Sequence, residues 1–428
     1  MREMKDSGIE WIGEIPKEWD ILRLKYCFSG FANGTSDTQL NSGESFYPVT
    51  RIETISSGEI NLDKIGYVAF SKKQYLLKAG DILVSNINSI KYLGNCAIVR
   101  DGYKLYHGMN LLRIIPSDYI DKGYAYYLFK SNVLKFPMEK YCKPAINQAS
   151  VSATTMKNFF IPFPAFLEQQ QIANFLDTQC SAIDATAEDI QKEISLLEDY
   201  KKSLIYNVIS NGINHSAYST ETDEVWGNVP QGWKLVDIKY LFDIVKRIAG
   251  KEGYDVLSVT QKGLKVKDIT SGDGQLADNY SGYQFVYPTD YVMNHMDLLT
   301  GWVDCSEFFG VTSPDYRVFR LMDKAANNLV YYKYVMQCCY MNKIFYSLGQ
   351  GVSNLGRWRL QTSSFNNFKV PAPPKAEQDE IANFLDSKCT EIDTLIADKK
   401  RQLDILADYK KSLIYEYVTG KKEVPVNE

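Results

Sequence analysis

The chain has 428 residues, 45% of them hydrophobic and 23% charged, enough for two domains with sizeable cores and too ordinary for a disordered or collagen-like polypeptide. No run approaches the roughly 18 apolar residues of a membrane span, and the opening MREMKDSGIEWIGEIP lacks the apolar stretch of a signal peptide, so a cytoplasmic location is expected. The net charge of −4 is unevenly spread, at +4 over 1–167, −5 over 168–212, +1 over 213–376 and −4 over 377–428; the acidity sits in two short segments, and nucleic-acid binding is neither excluded nor demonstrated by charge.

In chain order, the segment 1–167 reads as mixed α/β. GDILVSNI (80–87), CAIVR (96–100) and LLRII (111–115) have strand composition, and YAYYLFKSNVLKF (124–136) has that of a helix. Pro162 and Pro164 close the segment and admit a long helix over 168–212. Its apolar or small residues recur at Leu176, Cys180, Ile183, Ala187, Ile190, Ile194, Leu197, Leu204 and Val208, with Lys201 filling one slot. Spacings alternate four and three, the 3.5-residue period of a coiled-coil seam. Gly212 stands where the helix should stop.

The plan then starts again. DVLSVT (255–260), DLLTGWV (297–303) and YRVFRL (316–321) read as strands, and LVYYKYVMQCCYMNKIF (329–345) as a helix. Pro371, Pro373 and Pro374 precede a second long helix with a seam at Leu385, Cys389, Ile392, Ile396, Leu403, Leu406, Leu413 and Tyr417, and Gly420 closes it. The two helical segments, 168–210 and 377–419, align without gaps and share 21 of 43 residues, including IANFLD and DYKKSLIY. A weaker repeat leads into each half, matching Gly13, Pro16, Trp19, Lys25 and Tyr26 to Gly227, Pro230, Trp233, Lys239 and Tyr240. Two helices with one apolar seam each most simply bury the seams against each other, antiparallel within one chain. The expected architecture is therefore two β-rich mixed domains, 1–167 and 213–376, separated by two helical segments, 168–212 and 377–428, in a pseudo-two-fold repeat. Twenty-five of the 30 Tyr lie in the two variable domains, where a rigid apolar body with a polar tip suits either a binding face or half-buried sheet positions.

Catalytic signatures are missing. There is no phosphate-binding GxxxxGKS or GxxxxGKT, no GxSxG and no HExxH, and GDG (272–274) has no strand–helix context. The eight Cys form no CxxC pair and the His are three, His107, His215 and His295, which argues against a disulfide framework, a metal site or His-based acid–base chemistry. Asp199–Lys202 resembles a nuclease cluster, but it recurs at Asp408–Lys411 on the second coiled-coil helix and reads as a solvated or docking face. A Mg²⁺-dependent endonuclease and a coiled-coil scaffold for proteins alone are the competing readings.

The order of IGEIPKEWDILRLKY, a variable domain, a Pro-rich exit into EQxxIAxFLD and a helix ending DYKKSLI, given twice, resembles the specificity (S) subunits of type I restriction–modification systems. IPFPAFLEQQQIANFLD (161–177), VPAPPKAEQDEIANFLD (370–386) and GVTSPDYRVFR (310–320) carry the resemblance most strongly. It implies a chain without catalytic activity whose two target-recognition domains each read half of a bipartite, asymmetric target on double-stranded DNA. The helices would set the gap and dock two modification (methyltransferase) subunits. Such a chain binds no cofactor and no metal; S-adenosylmethionine, ATP and Mg²⁺ are used by the modification and restriction (motor-nuclease) subunits. The first domain lacks a GVTSPDY counterpart, so the two domains read as different subfamilies.

Base reading needs Arg or Lys for guanine and Asn or Gln for adenine, on loops that can enter a groove. In the first domain the candidates are Lys72, Lys73, Asn86, Asn88, Lys91, Asn147 and Gln148. In the second they are Gln261, Lys262 and Lys265, together with Gln350, Ser353, Asn354, Arg357 and Arg359 in the 349–359 loop. The helix-interface candidates are Leu176, Ile183, Ile190, Ile194, Leu197, Leu204, Leu385, Ile392, Ile396, Leu403, Leu406 and Leu413.

Overall fold

The structure, a computed structural model, describes residues 2–38, 46–145, 148–214, 217–219, 222–269, 277, 279–351 and 358–425. It divides into two compact units, Met1–Ile190 with Arg401–Glu428, and Gln191–Lys400. The division does not follow the four segments expected from sequence, because each long helix contributes to both units.

In the first unit, β1 (Asp20–Arg23) pairs antiparallel with β6 (Phe160–Phe163), which leads into the long helix. Between them lies a four-stranded antiparallel sheet in the order β2 (Phe28–Asn33), β5 (Leu112–Pro116), β3 (Ile82–Val84) and β4 (Cys96–Ile98). Side chains alternate across it: Ile82, Val84, Leu112 and Ile114 join the core with Tyr124 and Leu128, while Leu83 and Ala97 join a second cluster with Ile55 and Leu77. Burial on both faces accounts for the unbroken apolar run of β3. The expected helix over 124–136 is two helices, α1 (Lys122–Lys130) and α2 (Asn132–Lys140). Ser131 divides them, since its hydroxyl accepts from Val133 N and caps the second.

The second unit repeats the plan. β7 (Lys234–Asp237) pairs with β12 (Lys369–Ala372), and the sheet order is β8 (Phe242–Val245), β11 (Arg317–Leu321), β9 (Asp290–Met293) and β10 (Val303–Cys305). DLLTGWV is not the strand expected over 297–303. The Asp297 carboxylate accepts from Leu299 N and Thr300 N, which bends 297–301 into a turn and delays the strand to Val303. The helix expected over 329–345 runs as α4 (Leu329–Met341) and ends before Lys343, whose φ of 57° is left-handed.

The long helices are α3 (Phe166–Asn211) and α5 (Lys375–Val418), each starting two residues before the expected boundary. Gly212 (φ 70°) and Gly420 (φ 69°) end them in the left-handed conformation that a side chain resists. At Gly420 a Cβ would also lie 2.4 Å from Pro16 Cδ. Leu176, Ile194, Leu385, Ile392, Ile396 and Leu413 are buried, and Ile183, Ile190, Leu197, Leu204, Leu403 and Leu406 half-buried. In each unit the helices run antiparallel. In the first, the rings of Phe175 and Tyr417 lie 4.5 Å apart and Lys410 Nζ bonds Asp184 at 2.6 Å. In the second, Lys399 pairs with Glu193, and Lys201 Nζ with Asp393 at 2.6 Å. Lys201, which fills a seam slot, is thus half-buried along its stem and carries its charge to an exposed carboxylate at the seam's edge.

Candidate nucleic-acid interface

The sequence repeats converge on one hydrogen-bonded frame, built once in each unit. The buried Trp19 indole donates to Glu168 Oε2 at 3.1 Å, and Trp233 to Glu377 Oε2 at 2.9 Å. Gln169 donates to Pro164 O and accepts from Asp121 N; Gln378 donates to Pro373 O and accepts from Asn328 N. The Tyr124 hydroxyl donates to Pro162 O and that of Tyr331 to Pro371 O, while Tyr127 and Tyr334 donate to Asp177 and Asp386. Each unit therefore fixes its lead-in Trp, its helix start and its late Tyr-rich helix by the same bonds. The loops hung on that frame are free to differ.

In the first unit, Lys72 and Lys73 are exposed at a 3₁₀ turn (Lys73–Tyr75) whose neighbour Gln74 accepts from Arg113 Nη1 through its carbonyl. Lys91 is exposed, with its ammonium 5.4 Å from the Tyr92 ring centre. Gln148 is exposed in a small sheet that aligns Lys143–Ala145, Gln148–Ser150 and Ile87–Asn88, so Gln148 and Asn88 come together while Lys72 and Lys73 lie on a different segment. Asn86 is not on an exposed loop as expected: it is buried, its side-chain amide donates to Val151 O and its backbone carbonyl accepts from Val151 N, which builds the residue into the fold. Asn88 is half-buried, donates to Ser85 Oγ and accepts from Ser89 N, so its amide too is committed within the fold. Asn147 lies outside the described residues.

In the second unit, Gln261 and Lys262 form the exposed turn of a hairpin between Leu257–Thr260 and Gly263–Val266, with Lys265 exposed on its return strand. Gln261 Nε2 donates to Thr300 O at 3.4 Å, and the exposed Arg359 lies against Met296, so the 295–300 turn draws both toward one region. Gln350 and Arg359 are paired through both backbone bonds at the base of the 349–359 loop. Ser353, Asn354 and Arg357 lie outside the described residues. Arg317, beneath this region, is buried on the Phe365 ring at 4.5 Å and donates to Leu360 O; burial lowers its pKa to about 10. His295 is lowered to about 4, first by burial and then by Arg317 and Arg359, so it is neutral at physiological pH. His107 is likewise held near 4 by burial. Among the described residues no group of His, Cys, Asp and Glu could hold a metal ion, and no helix is long and apolar enough to cross a membrane.

Sequence reasoning did not single out the aromatic surfaces. Tyr47 packs edge-on to Tyr106 at 5.2 Å beside an exposed Phe70, and Tyr254, Phe285 and Phe309 cluster within 6.0 Å of one another in the second unit. Tyr47 lies two residues before Val49, which bridges Tyr106 in parallel; Tyr254 lies two before Val256, which bridges Val311 in parallel. The excess of Tyr in both variable domains was the available signal.

Comparison with known proteins agrees with this duplicated plan. The family model "Type I restriction modification DNA specificity domain" matches residues 16–196 and again 230–404. The MjaX specificity subunit of Methanocaldococcus jannaschii is 30% identical over 440 residues, covering 96% of both chains. The type I restriction enzyme MjaVIII specificity subunit of the same organism is 24% identical, over 96% of this chain and 94% of that one. Among solved structures, a chain from a study of type I restriction–modification complex assembly superposes with a TM-score of 0.69 at 14% identity, covering 95% of this chain and 99% of that one. The HsdS subunit of Thermoanaerobacter tengcongensis gives 0.50 at 13% identity, over 95% and 98%. With the family model matching each half and a full-length relative at this identity, the chain belongs to the type I restriction–modification DNA specificity family.

Proposed function

We propose that this chain is the DNA-reading subunit of a type I restriction–modification complex and performs no bond chemistry itself. Each unit reads one half of a bipartite, asymmetric target on double-stranded DNA. The paired helices set the length of the unread gap and dock two modification subunits, and restriction subunits complete the assembly in the cytoplasm. S-adenosylmethionine is bound by the modification subunits, and ATP and Mg²⁺ are used by the restriction subunits.

The observation that carries this reading is the pair of identical hydrogen-bonded frames, Trp19–Glu168 and Trp233–Glu377 with their Gln and Tyr partners, supporting unlike loops. A common frame suits two copies of one partner, while unlike loops suit two different half-sites. The acidic helical segments suit protein docking better than phosphate contact. The exposed Lys72, Lys73, Lys91 and Gln148 in one unit, and Gln261, Lys262, Lys265, Gln350 and Arg359 in the other, supply groove and phosphate contacts.

Replacing residues 213–376 with the corresponding segment of a relative, in cells carrying the modification subunit, tests the reading by mapping methylated adenines. One half of the methylated sequence should change and the other should stay. A change in both halves, or in neither, would defeat the modular reading.

A further inference from the structure

Three stretches far apart in sequence meet in the first unit and form a cleft of about 540 Å³ lined by Ser36, Asp37, Thr38, Arg51, Glu53, Met109 and Asn110. Its walls are tied together by main-chain bonds. Thr35 N donates to His107 O at 2.9 Å, Thr50 N to Tyr106 O at 3.0 Å and His107 N to Tyr75 O at 2.7 Å. Gly108 N donates to Thr50 Oγ1 at 2.9 Å, and His107 Nε2 meets Leu111 O at 3.0 Å, closing the 107–111 loop on itself. Two glycines make the close approach possible: a Cβ on Gly34 would lie 1.9 Å from Gly108 O, and one on Gly108 1.9 Å from Thr50 O. Asn110 is held at φ 67°, in the left-handed region, at the rim. Loops bound this way present their side chains with little ordering left to be done on binding.

The lining is chemically mixed. Arg51 offers the forked donor that matches guanine, Asn110 the amide that matches adenine, and Met109 an exposed apolar contact of the kind a thymine methyl makes. Asp37 and Glu53 stand in the same cleft, and their negative charge disfavours a phosphate while providing acceptors for a cytosine amine. The lining therefore fits base edges better than backbone. The surroundings fit backbone: Lys72 and Lys73 precede Tyr75, whose carbonyl takes the His107 amide, and Tyr47, whose ring packs on the exposed Phe70, lies on the strand that runs into Arg51. The second unit places its Tyr254 cluster, of which Phe309 is exposed, at the corresponding point of its topology, with Lys251 Nζ 5.6 Å from the Tyr254 ring centre.

We propose that this cleft is the base-reading site of the first unit, taking the edges of base pairs in duplex DNA, with Arg51 and Asn110 as specificity-determining residues. The proposal rests on the DNA-reading function above. It places recognition on the 36–38, 51–53 and 109–110 loops, apart from the Gln148 sheet.

The test uses the whole chain assembled with its modification subunits, with methylated sequences mapped and duplex binding measured for wild type, Arg51→Ala and Asn110→Gly. Glycine suits the left-handed backbone at 110, so that variant removes the amide while favouring the native loop. Each substitution should relax one base position in a single half-site and weaken cognate binding roughly ten- to hundredfold, leaving the other half-site as specific as before. Unchanged selectivity in both variants overturns the proposal, as does equal loss at both half-sites. A wild-type complex that methylates no bipartite sequence instead defeats the DNA-reading function, a result separable from the other two.

Discussion

Trp19 and Glu168 stand 149 residues apart in sequence, yet the indole of the first donates to the carboxylate of the second at 3.1 Å, at the start of the long helix. Trp233 and Glu377 reproduce the bond at 2.9 Å. Both indoles are buried, so truncating either acceptor leaves a buried N–H without its partner. Glu377→Ala should cost about 1–3 kcal/mol by urea unfolding. Glu168→Ala should cost at least the lower end of that range, because it also releases Arg2 Nη1, held at 2.5 Å. A loss below ~0.5 kcal/mol in both would show that these bonds do not hold the lead-in segment.

The helix seam and its flanking ion pairs should differ sharply in weight. Lys201–Asp393 and Lys410–Asp184 join a partly covered ammonium to an exposed carboxylate, a geometry worth about 0.2–1 kcal/mol. Ile194 is 1% exposed, and Ile194→Ala should cost about 2–5 kcal/mol. Asp393→Asn and Asp184→Asn should therefore unfold close to wild type in denaturant while Ile194→Ala unfolds well before it. The reverse order would mean that charge, not burial, holds the helices together.

The part of this arrangement legible in sequence is the part governed by periodicity. Leu176, Leu385 and Leu413 sit where a 3.5-residue repeat puts them, and Gly212 and Gly420 end the helices because an unbranched backbone is needed there. What escaped was decided by partners distant in sequence. Nothing local to Asn86 indicates that Val151 will take its amide, nor that Arg51 and Asn110 will line one cleft with Ser36. DLLTGWV misled for a different reason: its hydrophobicity suits a strand, but Asp297 satisfies the following amides itself.

Each long helix belongs to both units, so residues added within it act on the recognised gap and not on the half-sites. Inserting four residues after Asp189 adds about 6 Å of helical rise. The methylated sequence should then show a longer gap, or modification should cease, with both half-sites unchanged. A changed half-site with an unchanged gap would separate the helices from the spacing role.

Acid should destabilise the first unit through His107. Burial lowers its pKa from 6.5 to about 4, so between those values the unfolded chain binds a proton that the folded chain refuses. Stability from this group is complete above pH 6.5 and is lost progressively as pH falls toward 4. At pH 5 the loss from one such residue is about 2 kcal/mol. His107→Gln carries no titrating group, so its unfolding free energy should fall less than that of wild type between pH 7.5 and 5.0, by about that amount. His295 titrates in the same window in the second unit and remains in both proteins, so it cancels from the comparison. Equal losses in the two proteins would show that the imidazole is not held neutral in the fold.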